Sequence, residues 1–190
     1  MLKILLMILT LFLTTNVFAD DNTFQLTEAQ KQQITADVDG IYKAEGGKRS
    51  KAVIIKELSA TGMIIASNDM AIEAMKAKNL NEAEMYANIG INQLKTTQAE
   101  IPKNKLNIPQ LATTYAILGD ISRKRNDPKK AIVNYEKATR INPKLAVAYF
   151  NLGILYSATG DKKTGIANFN KAFALDKNFI EVAQKILNSP

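Results

Sequence analysis

The chain has 190 residues, of which 46% are hydrophobic and 23% charged, with a formal net charge of +7 and neither histidine nor cysteine. Without these two residue types the chain can form no serine–histidine or cysteine–histidine nucleophile, no thiolate or imidazole metal site and no disulfide. The length suits one globular domain or a short repeat array, and the composition indicates no metal, no cofactor and no enzyme. Paired carboxylates are the remaining route to acid–base chemistry.

The first 19 residues have the layout of a secretory signal peptide. Lys3 supplies a positive charge, an apolar run covers residues 4–13, and Val17 and Ala19 suit a signal peptidase. The alternative is an uncleaved anchor, but the run is shorter than the roughly 20 apolar residues that span a bilayer. We therefore expect cleavage after Ala19 and export to a bacterial periplasm, which lowers the net charge from +7 to +6.

Residues 20–62 predict a helical extension. A capping box that begins at Thr27 predicts a helix start, and the pair Gly46 and Gly47 predicts its end. A second helix is predicted from about residue 50 to residue 60, where Thr61 and Gly62 indicate a kink or an end.

Residues 63–97 predict a helical hairpin. Its small residues fit the repeat that follows, but its first helix lacks the large residues of that repeat. The segment is therefore either a degenerate copy or a plain hairpin of the same shape. Residues 98–111 contain two prolines and no clear period, so they predict a linker.

Residues 112–145 and 146–179 are two copies of one 34-residue unit. They share ten identities, where unrelated segments would share about two. The identical pairs are Ala112/Ala146, Tyr115/Tyr149, Leu118/Leu152, Gly119/Gly153, Asp127/Asp161, Lys129/Lys163, Ile132/Ile166, Asn134/Asn168, Lys137/Lys171 and Ala138/Ala172. Helix stop and start signals in the middle of each copy predict two helices per unit.

The order of large and small residues within each copy resembles the tetratricopeptide repeat. The first copy has Tyr115, Leu118, Gly119, Ser122, Ala131, Tyr135, Ala138 and Pro143 at the family's pattern positions, and the second has Tyr149, Leu152, Gly153, Tyr156, Gly165, Phe169, Ala172 and Lys177. The resemblance implies an all-α, right-handed solenoid of tandem antiparallel hairpins with these residues in its core. Residues 180–190 are then the capping helix.

The same resemblance implies a binding groove on the concave surface. Its candidate residues are Thr113, Ala116, Ile117, Asp120, Arg123, Lys124, Val147, Phe150, Asn151, Ile154 and Ser157. The family's carboxylate clamp is not expected, because Ala116 and Asp120 replace its lysine and asparagine. Phe150 and Ile154 are expected to be exposed unless a partner or the N-terminal helices cover them.

Positive charge is concentrated in residues 95–144, which hold 11 Lys or Arg and 4 Asp or Glu. The basic patch comprises Arg123, Lys124, Arg125, Lys129 and Lys130. It is either a solvated face or a docking surface for an acidic protein, an anionic membrane or a cell-wall polymer. Nucleic acid is not expected, because aromatic residues do not interleave with the cations.

The sequence predicts a non-catalytic periplasmic adaptor, scaffold or assembly factor. Its partner would be another protein or a peptide with apolar anchors and an acidic flank. One alternative is a structural or self-associating protein, whose groove is closed internally or by a second copy in a homo-oligomer. An enzyme that uses carboxylates alone is the other.

Overall fold

The structure is a computed structural model that describes residues 28–48, 50–100 and 109–187. The predicted signal peptide and residues 101–108 of the predicted linker lie outside this part. The described residues form eight helices and no strand, which confirms the all-α prediction. The helices are α1 Glu28–Ala44, α2 Lys51–Lys76, α3 Leu80–Glu100, α4 Gln110–Lys124, α5 Pro128–Ile141, α6 Ala146–Ala158, α7 Lys162–Leu175 and α8 Asn178–Leu187.

The extension folds back on itself after α1. Gly46 and Gly47 adopt φ of 62° and 71°, a left-handed conformation that glycine reaches without steric cost. The reversal brings the Asp39 carboxylate within 2.5 Å of Lys51 Nζ at the start of α2. Helix α1 therefore runs antiparallel to α2.

The expected end of the helix at Thr61 and Gly62, one of the two predicted alternatives, is wrong, because α2 is helical from Lys51 to Lys76. The Thr61 hydroxyl donates to the carbonyl of Glu57 at 2.8 Å, a bond that leaves the helix intact. Gly62 is buried, so tertiary packing outweighs the roughly 1 kcal/mol that glycine costs inside a helix. The predicted boundary between extension and hairpin consequently falls inside one helix.

Three helical hairpins stack in sequence order, α2 with α3, α4 with α5, and α6 with α7. In the second and third hairpins an aspartate caps the returning helix. Asp127 accepts from the backbone of Lys130 at 3.0 Å, and Asp161 accepts from the backbone of Thr164 at 3.1 Å. Asp161 has a lowered pKa because of its hydrogen bonds to Thr164. These turns lie where the sequence predicted them.

Each of these two hairpins closes on a contact between a glycine and an aromatic ring. A Cβ added to Gly119 would lie 2.7 Å from Tyr135 Cε1, and one added to Gly153 would lie 2.6 Å from Phe169 Cδ1. Both distances are too short for a real Cβ, so only glycine lets the ring lie this close to the helix. The repeated glycines, Gly119 and Gly153, thus have a packing role, as predicted.

In the first hairpin Ala87 stands where the other two hairpins have the aromatic rings of Tyr135 and Phe169. Ala71, Ala83 and Ala87 are fully buried between α2 and α3. They belong to one cluster with Ile117, Leu118 and Ile121 of α4, and this cluster joins the first hairpin to the second. This hairpin therefore stacks as a further unit of the array.

The ends of the described helices shorten the predicted linker. Helix α3 reaches Glu100 and α4 begins at Gln110, so both edges of residues 98–111 are helical. At the other end, α8 follows α7 after a short turn, in the place of the predicted capping helix. Among the residues that the structure describes, no helix is long and apolar enough to cross a membrane.

Candidate protein-binding groove

A cleft with a volume of about 400 Å³ lies between α2, α4 and α6, the first helices of the three hairpins. This volume falls in the range of roughly 300–1,000 Å³ that small-ligand clefts occupy. Apolar side chains line most of it. The lining residues are Ile72, Met75, Lys76, Thr113, Ala116, Ile117, Asp120, Lys124 and Val147.

Six of the eleven residues that the sequence predicted for the groove line this cleft. They are Thr113, Ala116, Ile117, Asp120, Lys124 and Val147. Sequence reasoning missed Ile72, Met75 and Lys76 of α2. A signal for them was present, because the weak alignment of the first hairpin with the repeat places them at the same groove positions as Asp120, Arg123 and Lys124. The first hairpin lacks the large residues of the repeat, so its groove positions are hard to assign from the sequence.

The prediction that Phe150 is exposed is wrong. Its side chain is only 5% exposed, and its ring centroid lies 5.5 Å from that of Phe169 and 4.8 Å from that of Phe179. The cover comes from α7 and from the start of α8, not from the N-terminal helices. Phe150 is therefore a core residue of the C-terminal end and not part of the open cleft.

Four more predicted groove residues do not line the cleft, namely Arg123, Asn151, Ile154 and Ser157. Ser157 is turned toward α7, where its Oγ contacts the position that a Cβ on Gly165 would occupy. Helix α6 therefore contributes Val147 from its first turn, while Phe150 and Ser157 pack against the C-terminal helices.

Asp120 is held in place at the wall of the cleft. The Tyr135 hydroxyl donates to Asp120 Oδ1 at 2.6 Å, and Arg123 Nη2 lies 3.5 Å from the same oxygen. Burial, followed by the nearby Asp120 charge, raises the pKa of Tyr135, so its hydroxyl remains a donor at neutral pH. The negative charge of Asp120 is thus already compensated within the protein.

The predicted basic patch does not form one free surface, because two of its members bind the first hairpin. Arg125 forms an ion pair with Glu84, and Lys130 Nζ lies 3.2 Å from the same carboxylate. Arg125 also donates to the Asn81 side chain at 2.7 Å. The hydrogen bond from Arg125 is the main reason that the pKa of Glu84 is lowered. These contacts fasten α5 and the end of α4 to α3.

Once the ion pairs of the lining residues are taken into account, the net charge of the cleft is positive. Lys76 pairs with Glu73 at 2.6 Å, and Asp120 pairs with Arg123. Lys124 forms no ion pair with any described residue, so it carries the uncompensated charge of the lining. Lys129 also has no described ion pair, but it lies outside the cleft. Within the described ranges, no group of three or more potential metal ligands comes together.

Comparison with protein families identifies the repeats. A family model described as a tetratricopeptide repeat matches residues 146–179, and one described as a TPR repeat matches residues 119–160. The chain therefore contains tetratricopeptide repeats, as the sequence predicted. Such repeats are characteristic of protein-interaction scaffolds, and they indicate a protein or peptide as the partner. No curated protein matches the chain in sequence.

Two solved structures are similar to this chain to different degrees. The C-terminal TPR-containing domain of an FK506-binding protein from Plasmodium falciparum is 20% identical, with a TM-score of 0.54 over 67% of this chain and 86% of that chain. A crystal structure of MamA is 18% identical, with a TM-score of 0.38 over 83% of this chain and 99% of that chain. The first similarity confirms the fold class, a solenoid of tandem helical hairpins with an N-terminal helical extension.

Proposed function

We propose that this protein is an exported, non-catalytic adaptor that binds a segment of another protein in the cleft between α2, α4 and α6. The observation that carries the proposal is the cleft itself, which places an apolar floor beside one uncompensated cation. An amphipathic helix or an extended peptide with apolar anchors would bury its side chains on this floor. Burial of such anchors supplies most of the free energy of binding at protein interfaces.

The charge of the cleft supports a partner with an acidic flank. Lys124 lies within the lining and lacks a described ion pair, whereas the one lining carboxylate, Asp120, is bound by Tyr135 and Arg123. A partner carboxylate would therefore meet a net positive field, which accelerates association and favours acidic over basic segments.

The proposed compartment is a bacterial periplasm. Its support is the layout of residues 1–19, with a charged start, an apolar run and small residues before Asp20. The mass of the intact protein from the periplasmic fraction tests this part. A chain that begins at Asp20 supports export with cleavage, and a chain that retains residues 1–19 contradicts it.

The adaptor proposal is tested by site-specific photo-crosslinking in cells. Val147 lines the cleft and is 39% exposed, while Val133 on α5 is 47% exposed and lies outside the cleft. A photoreactive residue at position 147 should form a distinct adduct with another protein, and the same residue at position 133 should not. Identical adducts from both positions, or none from position 147, would contradict the proposal. A dimer of this chain would favour the self-associating alternative.

The acidic flank is tested separately with the captured partner. Lys124→Ala should slow association and weaken its dependence on salt, because exposed charges act mainly on encounter and are screened over about 8 Å at physiological ionic strength. Lys129→Ala is the matched control, since Lys129 is equally a free cation but lies outside the cleft. Equal effects of the two substitutions would show that the cleft does not select for acidic segments.

A further inference from the structure

The residues just before α1 combine carboxylates with apolar side chains, the two features that the cleft favours in a binding segment. Positions 20–27 read Asp-Asp-Asn-Thr-Phe-Gln-Leu-Thr, so two carboxylates, Asp20 and Asp21, precede two apolar side chains, Phe24 and Leu26. These positions lie outside the described residues. Their sequence matches the partner class proposed above, an apolar anchor with an acidic flank.

The cleft is complementary to this segment in charge and in polarity. Ile72, Met75 and Ile117 supply apolar lining, and Lys124 supplies the uncompensated cation. Residues 101–108, which also lie outside the described part, carry Lys103 and Lys105 and no carboxylate. Their like charge opposes binding beside Lys124, so the acidic N-terminal segment is the better occupant.

The direction of α1 points its first residue, Glu28, toward the end of α2 that lines the cleft. Helix α1 runs back along α2 from the contact between Asp39 and Lys51. At 1.5 Å per residue, Lys51 to Ile72 spans about 32 Å of α2, and Asp39 back to Glu28 covers about 17 Å of it. The remaining 15 Å or so is close to the roughly 14 Å that the extended chain from Glu28 to Phe24 can reach.

We propose that residues 20–26 occupy the cleft of their own molecule, with Phe24 on its apolar floor and Asp20 and Asp21 near Lys124. A tether this short gives a local concentration in the millimolar range, so even weak contacts fill the cleft. A partner must then displace the segment, which makes it an autoinhibitory element. The inference rests on the proposed function, because it assigns an internal competitor to the same cleft.

The absence of tryptophan from the chain provides a direct probe. Phe24→Trp introduces a single tryptophan, which can be excited selectively over the six tyrosines, into the full chain expressed from Met1. If the segment occupies the cleft, the emission maximum is shifted to the blue and the tryptophan is protected from acrylamide. Lys124→Glu should abolish the shift and the protection, because it places a like charge beside Asp20 and Asp21. Lys129→Glu, the control, should leave both unchanged.

Three outcomes would overturn the inference. They are a tryptophan as accessible as in the unfolded protein, a signal insensitive to Lys124→Glu, and protection that disappears on dilution. The last would show that the segment binds a second copy of the chain.

The crosslink at position 147 separates this inference from the proposed function. Replacement of Asp20 and Asp21 by serine should strengthen the adduct with the partner, because the internal competitor is weakened. A partner adduct that does not change would reject autoinhibition and leave the adaptor function standing. A protected tryptophan with no partner adduct in either variant would reject the adaptor function and leave the cleft closed by its own segment.

Discussion

The Thr114 hydroxyl donates a hydrogen bond to Asn68 Oδ1 at 2.7 Å, and so links α4 to α2 across the interface between the first two hairpins. Both side chains are almost completely buried, at 0% and 4% exposure. The Asn68 amide in turn donates to the carbonyl of Gln110 at 3.1 Å. This buried network fixes the positions of the two helices that form most of the cleft.

Asn68→Ala should destabilise the protein by about 1–3 kcal/mol, because it removes both buried hydrogen bonds between α2 and α4 and leaves the Thr114 hydroxyl only the longer 3.4 Å bond to Gln110 within its own helix. Asn170→Ala, at an exposed position of α7, is the control and should change the free energy of unfolding by less than about 0.5 kcal/mol. Urea unfolding measures both. Similar losses for the two variants would show that the network contributes nothing specific.

Gly153→Leu should destabilise the third hairpin by about 1–3 kcal/mol or more, since the new side chain collides with the Phe169 ring. Gly40→Leu is the matched control, because a Cβ at Gly40 meets no atom within 4 Å. Leucine there should stabilise α1 by about 0.5–1 kcal/mol through its higher helix propensity. Thermal unfolding followed by circular dichroism distinguishes the two. An unaltered melting temperature for Gly153→Leu would refute the close approach of α6 and α7.

Phe150→Ala should lower the free energy of unfolding by about 3–5 kcal/mol in the absence of any partner, the usual loss for a buried phenylalanine. The Phe179 ring covers Phe150, so the variants Phe150→Ala and Phe179→Ala should not be additive. A double-mutant cycle should give a coupling of about 0.5–1.5 kcal/mol. If Phe150→Ala instead leaves stability unchanged and weakens partner binding, the residue is an exposed anchor after all.

Glu84→Gln should reduce stability by about 1 kcal/mol at pH 7, because it breaks the ion pairs with Arg125 and Lys130. Since the folded-state pKa of Glu84 is lowered below its ordinary value of 4.5, this stability is complete above that value. It is lost as the pH falls through the folded-state pKa. The difference between wild type and variant should therefore shrink in acid.

Glu73→Gln is the control for this pH series. The pair of Glu73 with Lys76 has side chains that are 71% and 66% exposed, and a pair of this kind contributes little to stability. Urea unfolding of both variants between pH 7 and pH 3 is the measurement. A difference between wild type and Glu84→Gln that persists at the lowest pH would exclude the ion pairs as its cause.

The repeated hairpins could be predicted from the sequence because their signals are local. The recurrence of Gly119 at Gly153, with a large ring sixteen residues later in each copy, reflects a contact inside one hairpin. The caps at Asp127 and Asp161 depend on atoms three residues away. Contacts of this range leave a periodic mark in the chain, so the two repeats and their turns were read correctly.

The expected end of the helix at Gly62 failed for a different reason. A glycine in the sequence signals only an intrinsic preference, and packing against other helices overrides a cost of about 1 kcal/mol. The first hairpin is also hard to recognise from the sequence, because Ala87 stands where the other two have an aromatic ring and its core contains the small residues Ala71, Ala83 and Ala87. Intimate packing of small residues has no distinctive sequence pattern.

The sequence alone determined the helical class, the repeat and the character of the groove side chains, since these follow from composition and from spacing within single hairpins. Only the tertiary structure decided which of those side chains remain uncovered and unpaired, so that a partner could contact them. Phe150 is covered by Phe179, and Arg125 is engaged by Glu84, through contacts between elements far apart in the chain. Lys124 lines the cleft without an ion pair to any described residue, because the stacking of the hairpins brings no carboxylate of the described residues within reach of it.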